Sequence, residues 1–287
     1  MPRVDGGLRG PSRTALMAAM GRAMHREGPP PHILDDWLAA DLAGAEGREI
    51  VAGMQERAAP ERLHAFQAWT AARSRFVEDF VVAGVDDGIA QYVLLGAGLD
   101  SFAYRRTDLA DRLTVFEVDH PLSQAWKRDR LEELQVPIPE NVVFAPVDFE
   151  TMSLRDGLVA AGMDVDRRAV VAWIGVTMYL ERDAIGATLA TIGACASGSR
   201  LVLSFDQPAE VLDERGRALL ADVSGTAAQL GEPFISPLRR DEVERLLAEH
   251  GFTAVTHFGT PDATRDYFAG EDIGMPDVQR LATAVVG

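Results

Sequence analysis

The chain has 287 residues, 47% of them apolar and 25% charged, enough to bury one large core or one core with a helical cap. A formal net charge of −16 argues against nucleic acid as a partner, because binding phosphates requires a basic face. The single cysteine, Cys195, excludes an internal disulfide and any thiolate metal cluster.

The first thirteen residues, MPRVDGGLRGPSR, are charged and glycine-rich. They lack the apolar region of a signal peptide and read as a loose tail. No apolar run approaches the roughly eighteen residues of a membrane span, so the chain is expected to be cytoplasmic. Ser12-Arg13-Thr14 can start a helix that runs through ALMAAMGRAMHRE and stops at Gly28-Pro29-Pro30-Pro31. A second helix is expected from near Asp35. After a polar stretch, a third runs from about Glu61 to Val82, with Leu63, Phe66, Trp69, Phe76 and Phe80 near helical spacing. No strand is expected in the first ninety residues.

Beyond that point strands and helices alternate. Apolar strand candidates are 91–96, 113–118, 141–147, 169–176, 200–205 and 252–258. Near-continuous apolar strands separated by helical patterns imply a parallel sheet covered on both faces. The connection from about 207 to 250 is longer than a plain crossover, and its proline-broken segment GEPFISPL is suited to lie over a site. The expected organisation is an N-terminal helical cap (1–88) and a Rossmann-like domain (89–287) with a cap insertion at about 207–240. Cys195 lies in an apolar helical stretch and reads as a buried, inert thiol.

The first strand ends in Gly96-Ala97-Gly98, and the acidic strand end Glu117-Val118-Asp119 follows about twenty residues later. Glycines without a Cβ allow a sharp turn and a close ligand approach, while an acid at the next strand end can accept hydrogen bonds from a ribose diol. A dinucleotide motif wants a third glycine three residues on, to bring a helix N-terminus to a pyrophosphate. Here that residue is Ser101, preceded by Asp100, whose carboxylate would repel a pyrophosphate and suit a cation. The pattern favours S-adenosylmethionine, which carries a sulfonium, an ammonium and a ribose but no phosphate.

The order of GAGLDSFAYRR (96–106), VFEVDHPLSQAWKRDRL (115–131), APVDFE (145–150) and WIGVTMYL (173–180) resembles the leucine carboxyl methyltransferase family. The likeness extends to TALMAAMGRAMH (14–25), ARSRFVEDF (72–80) and GEPF (231–234), and so covers most of the chain. It implies an α/β fold: a doubly wound, mostly parallel, seven-stranded class I methyltransferase sheet behind an N-terminal helical cap, with S-adenosylmethionine as methyl donor.

By the same resemblance, Arg73 holds the cofactor carboxylate, a task its planar guanidinium suits. Arg75, on another helix face, is the weaker candidate. Gly96, Ala97 and Gly98 form the turn beneath the methionine group, with Asp100 in the same loop. Asp119 is the ribose acceptor, with Glu117 second, and His120 shapes the cofactor side. Asp148 meets the adenine amino group, with Phe149 near the base. Tyr179 faces the acceptor, where its phenol would orient a carboxylate or carbonyl, and is the candidate catalytic residue. The chain departs from the family at Ile174, where many members carry glutamate, and at Asp35-Asp36.

The resemblance implies O-methylation of a small molecule, a carboxylic acid or a hydroxyl compound of secondary metabolism. A carboxylate acceptor is already ionised at neutral pH and needs no base, whereas a hydroxyl would benefit from one. The histidines available are His25, His32, His64, His120, His250 and His257, of which His257 could reach the acceptor side. No metal-ligand cluster stands out, and neither a membrane partner nor a particular oligomeric state is indicated. Two alternatives stay open. One is a cofactor-binding or scaffold protein of the same fold without methyl transfer, which Ile174 keeps in view. The other is a nicotinamide oxidoreductase, opposed by Ser101 and by the lack of an evident Tyr-x-x-x-Lys pair.

Overall fold

The computed structural model describes residues 12–148, 151–229 and 231–287. Three helices precede the first strand: α1 (Arg13–Glu27), α2 (Ala39–Arg57) and α3 (Pro60–Asp86). Ser12 caps α1 by accepting the Ala15 N–H at 3.1 Å. Pro60 sits in the first turn of α3, where its missing N–H would have had no partner. The second helix starts at Ala39, later than the sequence suggests, and extends to Arg57 through the stretch read as polar, broken at Gly44, whose φ of 62° and ψ of −152° are not helical. Its expected acidic start is displaced because Asp36 is committed to buried ion pairs described below.

Seven strands follow: β1 (Gln91–Leu95), β2 (Thr114–Asp119), β3 (Val142–Pro146), β4 (Val170–Trp173), β5 (Arg200–Asp206), β6 (Phe252–Phe258) and β7 (Gln279–Val286). They form one sheet in the order β3-β2-β1-β4-β5-β7-β6. The first five run parallel, and β7 lies antiparallel between β5 and β6. The remaining helices are α4 (Phe102–Arg105), α5 (Pro121–Glu133), α6 (Leu154–Ala160), α7 (Arg182–Gly193), α8 (Glu214–Gln229), α9 (Arg240–Glu249) and α10 (Thr260–Tyr267). Six strands match the apolar runs in the sequence. The seventh, QRLATAVV, was not among those runs because two of its first four side chains are polar.

Successive strand residues face opposite sides of the sheet, which divides the core in two. On one face Tyr92, Leu94, Val170, Val202 and Leu281 pack with Val77, Val81 and Val85 of α3. On the other, Val93, Leu95, Val171, Trp173 and Leu203 pack with Ile185, Leu189 and Ile192 of α7. A third cluster joins Leu16, Ala19 and Met20 of α1 and Ala43 and Val51 of α2 to Leu99, in the loop after β1. The N-terminal helices are thereby clamped onto the crevice between β1 and β4, where the strand order reverses and ligands of open α/β sheets bind. Among the described residues no helix is long and apolar enough to cross a membrane.

Candidate functional site

The turn after β1 has the geometry its glycines permit. Gly96 and Gly98 have φ of 71° and 48°, in the left-handed region that side chains disfavour. A Cβ at Gly96 would lie 2.6 Å from Cγ2 of Val176, and one at Gly98 would lie 3.4 Å from Cβ of Ala15 on α1. The N–H groups of Gly96 and Ala97 both donate to the Val118 carbonyl, at 2.9 and 3.0 Å.

Asp119, the last residue of β2, holds the far side of the turn. Its Oδ2 accepts the Gly98 N–H at 2.6 Å and its Oδ1 accepts the His120 N–H at 2.7 Å. Burial pushes its pKa up, and the two N–H groups pull the other way. Each oxygen retains a second acceptor site. His120 uses Nδ1 to cap α5, accepting the Leu122 N–H at 3.2 Å. Asp100 closes a local turn ahead of α4, its Oδ1 accepting the Phe102 N–H at 2.8 Å.

Glu117 does not share the crevice with Asp119. Two residues back along an extended strand is about 6–7 Å deeper, and there it is 1% exposed and paired with Lys127 at 2.7 Å. Lys127, the chain's only lysine, also donates to the Asp100 carbonyl at 2.7 Å. The pair therefore braces the glycine loop from below, and the reading of Glu117 as second ribose acceptor is corrected on that ground. Asp148 follows β3 and is half-buried, its carbonyl accepting the N–H groups of Thr151 and Met152 at 3.0 and 2.9 Å. Phe149 lies outside the described residues.

A second group of polar residues gathers at the ends of β4, β5 and β7. Arg73 donates from Nη1 to Oε1 of Gln279 at 2.6 Å, and Trp69 donates to the same oxygen at 3.3 Å. The Gln279 Nε2 donates to Oδ1 of Asp206 at 3.0 Å. Asp206 and Gln279 are register partners across β5 and β7. Burial raises the Asp206 pKa to about 6, and burial with nearby Arg22 lowers that of Arg73 to about 10. Arg75 instead pairs with Asp79 at 2.8 Å on the exposed face of α3.

Tyr179 ends the short turn after β4, its ring edge-on to Phe234 at 5.4 Å. Burial pushes its pKa up to about 12, with Thr14 pulling it down. Thr14, in the first turn of α1, donates to Oε2 of Glu232 at 2.9 Å. The segment around 232–238 crosses the strand ends: the Ile235 N–H donates to the Met178 carbonyl and the Leu238 N–H to that of Asp206, both at 2.8 Å. Ile174 is half-buried against the apolar cluster on the α3 face and offers no charge there.

Sequence reasoning missed Asp206, Gln279 and the anchor beneath the loop. That anchor is Asp36, 1% exposed, which accepts from Arg22 Nε and Ser101 Oγ, each at 2.6 Å, and lies 3.3 Å from Arg105. Arg105 also pairs with Glu78, and Arg22 donates to the Leu99 carbonyl at 2.8 Å. A lone arginine in the apolar run of α1 was the available signal. The sequence left His257 able to reach the acceptor side, without naming it as a base. It pairs instead with Glu244 of α9 at 2.9 Å and is in register with Ala282, on the sheet face opposite Gln279. His25 accepts the Ile33 N–H at 3.0 Å, and burial pushes its pKa down to about 4. Among the described residues no group of three or more His, Cys, Asp or Glu is placed to hold a metal ion. A surface recess of about 460 Å³ beside Arg128, Glu132 and Ile138 includes none of the site residues.

The family model described as leucine carboxyl methyltransferase matches residues 15–193. YktD of Bacillus subtilis, a candidate S-adenosyl-L-methionine-dependent methyltransferase, is 28% identical over 283 residues, spanning 90% of this chain and 91% of its own. Rv1896c of Mycobacterium tuberculosis, a candidate of the same kind, is 32% identical over 244 residues, spanning 83% and 79%. Among solved structures, a DUF574 family protein from Streptomyces avermitilis superposes with a TM-score of 0.61 at 15% identity, covering 96% of this chain and 98% of that one. A candidate methyltransferase from Thermobifida fusca gives 0.59 at 17% identity, covering 97% and 96%. At such identities these two likenesses speak to the fold alone.

Proposed function

The chain belongs to the leucine carboxyl methyltransferase family and is an S-adenosylmethionine-dependent methyltransferase, and from that premise we propose that it methylates an oxygen of a small molecule, a carboxylic acid or hydroxyl compound of secondary metabolism. The observation that carries the cofactor placement is the glycine turn whose Gly98 N–H is held by Asp119. The cradle fits a ligand that is cationic near the turn and bears a ribose. Asp119 keeps acceptor capacity, and among the described residues Arg73 has no ion-pair partner.

In this reading Gly96, Ala97 and Gly98 lie beneath the methionine end, with Arg73 on its carboxylate. Asp119 takes the ribose diol and Asp148 the adenine amino group. Asp100 and His120 act indirectly, Asp100 by closing the turn before α4 and His120 by capping α5. When bound, S-adenosylmethionine supplies an electrophilic methyl group on a sulfonium. The protein's part is to hold the acceptor in line and keep water out, and such positioning supplies several kcal/mol, up to about 10. Helix α1 and the segment around 232–238 form the walls. A Tyr179 phenol with a pKa of about 12 stays protonated at neutral pH, so it donates a hydrogen bond to an acceptor carboxylate or carbonyl and does not serve as a base.

The test is calorimetric titration with S-adenosylmethionine and S-adenosylhomocysteine, followed by assay of S-adenosylhomocysteine formation with carboxylic acid, phenol and alcohol acceptors. Binding of both with turnover of an oxygen acceptor is expected. Absence of heat from folded protein would defeat the reading, and binding without any turnover on a crude acceptor extract would favour a scaffold role.

A further inference from the structure

Asp206 and Arg73 are opposite charges held apart by one carboxamide. Gln279 accepts from the guanidinium through Oε1 and donates to the carboxylate through Nε2. No direct ion pair joins the two within 4.0 Å among the described residues, and Oδ2 of Asp206 has no hydrogen-bond partner there. Asp206 is nevertheless 5% exposed. A buried carboxylate is normally neutralised or fully paired, because stripping it of water costs several kcal/mol or more, on the order of the effective penalty for a buried ion. Here one oxygen and most of the guanidinium's five donors are left with capacity, on groups joined by the same amide.

We infer that Arg73, Gln279 and Asp206 form a template for an α-amino-acid zwitterion, with Arg73 receiving the carboxylate and Asp206 the ammonium of the cofactor's amino-acid end. This rests on the cofactor reading above and extends it to a residue that no motif marked. The two charges are separated by the amide and a hydrogen bond at each end, 2.6 and 3.0 Å long, the kind of span that a carboxylate and an ammonium on one α-carbon would also bridge with a hydrogen bond at each end. The amide's own two bonds fix the spacing and stop the charges from collapsing onto each other. At the end of β4, Ile174 is apolar and packs on the α3-face cluster. On the neighbouring strand, Leu203 is level with Trp173, and Asp206 lies three residues further toward the crevice.

The experiment measures dissociation constants for three probes by calorimetry. They are S-adenosylhomocysteine, its analogue with the α-amino group replaced by hydrogen, and 5′-methylthioadenosine, which has no amino-acid end. Wild type should prefer S-adenosylhomocysteine to the deaminated analogue by roughly 10- to 100-fold, the range for a hydrogen bond to a charged group. Asp206→Asn should abolish that preference while leaving 5′-methylthioadenosine binding unchanged. Equal wild-type affinity for the first two probes overturns the template without needing any variant. So does an Asp206→Asn protein that binds S-adenosylhomocysteine normally but turns over slowly, which would move Asp206 to the acceptor. Failure of all three probes to bind wild type would instead defeat the cofactor reading itself.

Discussion

Replacing Asp36 with asparagine keeps the side chain's volume and removes its charge, so it isolates the electrostatic part of the anchor beneath the glycine loop. The Asp36 side chain is 0% exposed and sits between Arg22 and Arg105. Removing one partner of a buried ion pair costs about 3–5 kcal/mol. Arg105 keeps Glu78, whereas Arg22 keeps only the Leu99 carbonyl, so the loss falls mainly on one charge and the lower end, about 3 kcal/mol, is expected. At about 2 °C per kcal/mol for a chain of this size, the midpoint should fall by about 6 °C. The pH dependence has a definite sign. Burial alone would raise the Asp36 pKa, but Arg22, Arg105 and Ser101 hold it below the ordinary 3.8. Its contribution is therefore present above pH 3.8 and lost as pH falls through the lower folded value. Urea unfolding of both proteins across that range should show a gap that closes at acid pH. A difference under about 1 kcal/mol at pH 7, below the buried-pair range, or a gap that persists undiminished in acid, would refute the reasoning.

Gly96→Ala places a side chain at φ 71° with its Cβ 2.6 Å from Val176. Calorimetric unfolding should record a loss of about 2–5 kcal/mol, combining left-handed strain with overpacking, and a near-neutral result would contradict the turn geometry. Arg73→Ala should weaken S-adenosylhomocysteine binding by about 1.5–3 kcal/mol, the range for a hydrogen bond to a charged group, and an unchanged dissociation constant would mean another residue holds the carboxylate. In ligand-free protein the Asp206 pKa is raised from 3.8 to about 6, so its contribution to stability is complete below pH 3.8 and lost as pH rises through 6. The loss is about 3 kcal/mol from the size of that shift. Asp206→Asn should flatten this part of the stability–pH curve, whereas an equal decline in the variant would assign it to another group.

Much of the candidate site was legible because it is local. The Gly-Ala-Gly turn, the acid at the next strand end and the arginine in ARSRF lie in short motifs with a fixed order. Glu117 and Asp119 share a strand face and were indistinguishable by spacing. Depth separates them, since the inner acid meets Lys127 and the outer one meets the Gly98 N–H. The place of His257 was open for a related reason: which face it occupies depends on its register with Ala282 in β7, a strand the apolar pattern did not reveal.

Taken alone, the amino-acid order determined the class of fold and the position of the glycine turn, because strand periodicity, helix starts and glycine turns are set by near neighbours. Tertiary structure alone decided which charges meet. Asp206 and Gln279 stand 73 residues apart, and Ser101 and Asp36 stand 65 apart. Whether such a carboxylate is paired, or held apart from its counter-ion by an amide, depends on burial and on partners that arrive from distant segments when the sheet assembles.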